Sequence, residues 1–149
     1  MKRKYYDDYK NGLINEIKFQ SFLEFTFDDD IKKYKDKYAE IDFRYYDKLI
    51  ELKSRTIPMK RYPTTMVGYN KILKARRKEK KGYEIYFYFL FTDGLYKWKY
   101  VDDEILCVMK GGRVDRGKYE IKDYAYIPIK YLEFVSDKIK SNPLKEYVT

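Results

Sequence analysis

The 149-residue sequence contains no histidine and one cysteine, Cys107. Without histidine there is no Ser-His-Asp triad, no Cys-His nucleophile pair and no His-ligated zinc. A lone cysteine excludes an intramolecular disulfide framework and a four-cysteine zinc site. Long apolar runs are missing as well. None approaches the roughly 20 residues that cross a bilayer, and Met1–Asp8 lacks the apolar stretch of a secretory signal. A soluble intracellular protein, away from membranes, is therefore expected. Acidic residues are outnumbered, 24 against 33 basic ones, for a net charge of +9. That excess suits a polyanionic partner, nucleic acid before an acidic lipid surface. A composition rich in Lys, Tyr, Ile and Asp also yields such a charge with no partner at all.

What remains for chemistry is carboxylate, lysine, tyrosine and water. Aromatic residues make up 19% of the chain, too many for a disordered basic tail. No repeat or Pro/Gly/Ser-rich linker divides it, so one domain over 1–149 is expected. Apolar spacing predicts a helix over 10–26, capped by Asn11 and carrying Leu13, Ile14, Ile17, Phe22 and Leu23. Strands are expected at 38–46 and 48–54, meeting at Asp47-Lys48. A loop follows at Pro58 and Pro63, then a helix over 65–80. The nearly unbroken apolar run 83–91 fits a strand covered on both faces. Thr92-Asp93-Gly94 signals a hairpin into 95–101. A short strand near 104–109 (with Cys107 buried), a Gly-rich loop, an extended edge segment at 123–129 and a terminal helix over 130–139 complete the order. The pattern is a mixed α/β layer fold.

The first hairpin concentrates the chemistry. Glu51 and Lys53 are two apart on a strand and share a face, while Ile50 and Leu52 share the other. A turn centred on Asp47-Lys48 pairs Asp42 with Lys53 and Arg44 with Glu51. Asp42, Glu51 and Lys53 then converge. Two close carboxylates repel unless a cation neutralises them, and a hard divalent ion, Mg2+ or Mn2+, suits oxygen ligands. Such an ion acidifies water and polarises a phosphoryl oxygen, and a nearby lysine stabilises developing charge. The simpler alternative is a cross-strand ion pair on a solvated face.

With Asp42, Glu51-Leu52-Lys53 and the upstream helical Glu16, the chain resembles the PD-(D/E)XK nuclease superfamily over roughly residues 10–100. The resemblance implies a restriction-endonuclease-like core, a central mixed β-sheet flanked by helices. It also implies a metal-dependent nuclease, with DNA favoured over RNA. Asp42 and Glu51 would be metal ligands, joined by the main chain of Leu52. Lys53 would be the catalytic lysine and Glu16 an accessory acid. Many resolvase-like members act as pairs on two-fold sites, so a homodimer is also implied. Ile41 stands where the motif has proline. Asn70, Lys71 and Lys74 occupy the region where many such enzymes carry a glutamine. Glu-x-Lys occurs four times, at Glu16, Glu51, Glu79 and Glu120, but only Glu51 has a helix–hairpin–helix context.

Two basic stretches are candidates for phosphate contacts. Residues 71–81 include Lys71, Lys74, Arg76 and Arg77. The loop 110–118 includes Arg113 and Arg116. A solvated helix end and a plain loop explain these charges equally well. Tyr96, Trp98 and Tyr100 form one strand face, which fits core packing better than base stacking. The rival reading of the whole is a nucleic-acid-binding module without catalysis, and a weaker one is an interaction protein whose charge is compositional.

Overall fold

The computed structural model describes residues 2–27, 32–33, 42–111 and 122–143, with helix side chains from Lys10 onward. Its elements are α1 (Lys2–Phe27), β1 (Lys32–Lys33), β2 (Phe43–Tyr45), β3 (Lys48–Ser54), β4 (Thr64–Gly68), α2 (Tyr69–Lys80), β5 (Glu84–Phe91), β6 (Gly94–Lys99), β7 (Cys107–Gly111), β8 (Lys122–Pro128) and β9 (Glu133–Ser136). One sheet has the order β1-β2-β3-β5-β6-β9, and a smaller one has β4-β8-β7. Strand β3 runs parallel to β5, and the crossover between them carries β4 and α2. The other neighbours in both sheets are antiparallel.

The apolar run that forms β5 is buried on both sides, as its composition requires. Phe87, Phe89 and Phe91 join Leu49, Ile72, Val67, Trp98 and Ile127 between the large sheet and the layer of α2 and the small sheet. Tyr88 and Leu90 point the other way and pack with Ile50 and Phe43 against Phe19 and Leu23 of α1. Strand β3 therefore separates two cores, and its alternate residues feed each. Trp98 and Tyr100 are fully buried, in line with a core role.

Several expected elements differ. Helix α1 begins at Lys2, so Asn11 lies inside it rather than at a cap. Its buried side is Asn15, Phe19 and Leu23, while Leu13 and Ile17 are exposed. The expected helix 65–80 begins as a strand, because Thr64–Gly68 pair with β8 and bury Thr65 and Val67. Strand β8 is central to its sheet rather than an edge. Pro128 is tolerated at its last position, where Ile129 donates its N–H to the Pro63 carbonyl. The expected terminal helix is a short turn followed by β9, which adds to the β6 edge through Tyr96 and Phe134. Cys107 lies half-buried on β7, at an edge of the small sheet.

Candidate metal and phosphodiester centre

The β2–β3 turn falls on Tyr46-Asp47, one residue before the expected position. Tyr46 takes a left-handed φ of 53°, and the Arg44 guanidinium donates to its carbonyl at 2.9 Å. Arg44 consequently faces Leu49, not Glu51. The same register carried one residue further sets Asp42 opposite Glu51, with Lys53 on the diagonal. The offset is two residues, and side chains repeat every two, so the expected face survives although the expected partners do not.

Glu51 is only 3% exposed. Its Oε1 accepts from Lys71 Nζ at 2.8 Å, and Lys53 Nζ lies 3.4 Å from its Oε2. Lys71 reaches it from the first turn of α2. Burying a carboxylate without such partners is costly, so the two ammonium groups account for the position of Glu51 in the core. Asp42 accepts a hydrogen bond from the Leu52 backbone N–H at 2.8 Å. Burial, and next the Glu51 carboxylate, push Asp42 up to about 6. Burial likewise holds Lys53 below the ordinary lysine range, against the opposing pull of Glu51. Burial thus works against the charged forms of both Asp42 and the neighbouring Lys53.

The N–H and C=O of one strand residue point to the same side. Because the Leu52 N–H meets Asp42, the Leu52 carbonyl is directed away from β5 and toward Asp42. Two facing carboxylates and one main-chain carbonyl form an oxygen set that suits a hard divalent cation. Among the described residues, no cluster of three Asp, Glu, Cys or His side chains is present. Glu16 is accordingly not brought to this centre. It sits on α1, whose Phe19 and Leu23 pack against the opposite face of the sheet, the one that carries Ile50.

The other expected contact residues fall in different places. Lys71 belongs to the centre itself. Lys74 is buried, and burial, then Arg77 and Lys78, press its ammonium down to about 8. Arg76 is held structurally. Its Nε donates to Asp102 Oδ1 at 2.8 Å and its Nη1 to the Tyr69 hydroxyl at 3.0 Å. Arg77 is exposed. Arg113, Arg116 and the rival Glu120 lie outside the described residues. One role and one residue escaped sequence reasoning. Lys71 was expected as a phosphate contact within a basic run, not as the partner of Glu51. Arg55 continues the Glu51–Lys53 alternation and sits over the Phe89 ring, 5.7 Å from its centroid.

No helix among the described residues is long and apolar enough to cross a membrane. No curated protein and no solved structure matches the chain. A family model described as "Phage putative PDDEXK endonuclease" matches residues 1–135. Nucleases of this kind generally use divalent metals. The match spans the helix, the Asp42 hairpin, the Glu51-Leu52-Lys53 strand and both sheets, whose layered α/β arrangement is a restriction-endonuclease-like core. The chain belongs to this family, within the PD-(D/E)XK superfamily.

Proposed function

We propose that this chain is a divalent-metal-dependent nuclease that hydrolyses phosphodiester bonds, of DNA in preference to RNA. The observation that carries the reading is Asp42, hydrogen-bonded to the Leu52 N–H, next to the buried Glu51 with Lys53 3.4 Å from it. Asp42, Glu51 and the Leu52 carbonyl are the proposed ligands of Mg2+ or Mn2+. When bound, that ion supplies Lewis acidity to the scissile phosphate and favours ionised water. The chain's own residues do the rest. Asp42 and Glu51 present negative oxygens on a rigid strand pair. The Leu52 N–H fixes the Asp42 carboxylate. Lys53 offers an ammonium for charge developing on the phosphate. We assign no step to Glu16. The preference for DNA rests on the family resemblance alone.

The test is cutting of labelled DNA and RNA by the purified chain, with Mg2+ or Mn2+ and with chelator. Metal-dependent cleavage lost in Asp42→Asn and Lys53→Ala supports the reading. No cleavage of any substrate, or cleavage that survives both substitutions, ends it. One observation favours the alternative of a non-catalytic nucleic-acid-binding protein, namely that both Glu51 oxygens already face lysine ammonium groups. That alternative predicts salt-sensitive binding indifferent to metal and to Lys53→Ala.

A further inference from the structure

A cavity of about 370 Å³ opens where β3 runs out, walled by Ile57, Met59, Tyr62, Thr64, Phe91 and Tyr126, with Arg55 lining it too. Its size and its largely apolar, aromatic walls with a few polar groups are those of a small-ligand site. It lies further along the strand face that carries Glu51 and Lys53. Glu51, Lys53 and Arg55 alternate along one face, so Arg55 stands about 7 Å beyond Lys53.

The Arg55 guanidinium gives one N–H to the Ser54 carbonyl at 3.1 Å and another to the Met66 carbonyl. Among the described residues no carboxylate pairs with it, and its remaining N–H donors make no further hydrogen bond. Arg55 is half-buried on the cavity wall, so its unused N–H donors stay within reach of a ligand in the cavity. The ring edges of nucleobases carry nitrogen and oxygen acceptors that a guanidinium fork matches. Their faces stack on aromatic side chains such as Tyr62, which is 58% exposed at the rim, and Tyr126. A base still paired and stacked in a duplex cannot enter a walled cavity.

We propose that this cavity receives an unstacked nucleobase of the substrate strand, within about two nucleotides of the phosphate held at Asp42 and Glu51. The substrate is then a single strand, or a duplex end or distortion with an unpaired base. This inference rests on the nuclease reading for the placement of that phosphate.

The experiment uses the full chain with Mg2+ and single-stranded DNA oligonucleotides in which one position at a time is made abasic. One abasic position near the cut lowers cleavage about tenfold, the scale of one lost base stack. Thr64→Trp, which fills the cavity, cuts the intact strand at that lower rate, and the abasic penalty no longer adds. Tyr62→Ala, at an exposed site that does not endanger folding, loses a fewfold. A flat abasic profile, or parental cleavage by both variants, overturns the proposal. A second readout needs no cleavage. Calorimetry compares thymidine 5′-monophosphate with 2-deoxyribose 5-phosphate. About tenfold tighter binding of the nucleotide, abolished by Thr64→Trp, supports the cavity even if the chain cuts nothing and the nuclease reading falls. Cleavage with no base dependence in either assay overturns the cavity and leaves the nuclease standing.

Discussion

Two charged clusters tie α2 to the large sheet or its margin, and they differ in what each does to its own charges. At one end Lys71 meets Glu51, with Asp42 and Lys53 alongside. At the other Arg76 meets Asp102, which also accepts from the Tyr100 hydroxyl at 2.8 Å. The second cluster favours ionisation. The Arg76 guanidinium, then the Tyr100 hydroxyl, hold Asp102 below the usual carboxylate range, and Asp102 holds Arg76 above the arginine range. The first penalises it, raising Asp42 and lowering Lys53 by burial. A structural ion pair settles its charges. Perturbed groups concentrate at functional sites, and this contrast is what supports the proposed role of the first cluster.

The largest expected effect comes from the unsettled cluster. Lys53→Ala and Asp42→Asn should each lower metal-dependent cleavage about a thousandfold or more. Without metal, Asp42→Asn should melt no lower than the parent, since it removes a buried charge that faces Glu51 and keeps an acceptor for the Leu52 N–H. A clear loss of stability in that variant would break the contrast. Glu51→Gln should lose cleavage and also cost about 3 kcal/mol in denaturant unfolding, because two lysines are left without their carboxylate. Lys71→Met should slow cleavage about tenfold, with Lys71→Arg recovering part of the loss. Equal failure of both would give Lys71 a more specific role than neutralising Glu51.

For the settled cluster, Asp102→Asn should lower the melting temperature while cleavage stays within about twofold. A large catalytic loss there would erase the distinction between the clusters. The smallest effect belongs to the exposed Arg77. Its replacement by alanine should weaken DNA binding slightly and reduce the salt slope by about one if it contacts a phosphate.

Much of the centre was legible because side chains on strands repeat every two residues. The turn lies one residue earlier than expected and changes every cross-strand partner, yet Asp42, Glu51 and Lys53 remain on one face. Helix α1 was legible as a helix but not in its phase. Leu13 and Ile17 carry the apolar signal and are exposed, while Asn15 is buried. Nor does local spacing say which face of a sheet a helix will cover, and that decides where Glu16 lies. Lys71 was illegible for a related reason. Residues 65–80 read as one helix, but Thr64–Gly68 pair with β8, and only at Tyr69 does the chain turn into the helix that delivers Lys71 to Glu51. Strand β9 depends wholly on the open edge of β6, which no window of residues 130–139 contains.

The central claim is that Asp42 and Glu51 form one divalent-cation site. Manganese titration of the full chain, followed by electron paramagnetic resonance of the free ion, measures it without requiring cleavage. The account predicts a Mn2+ site in the parent that Asp42→Asn and Glu51→Gln each remove, and that Asp102→Asn leaves intact. Equal Mn2+ binding by the parent and the two centre variants, or none by the parent, would contradict it.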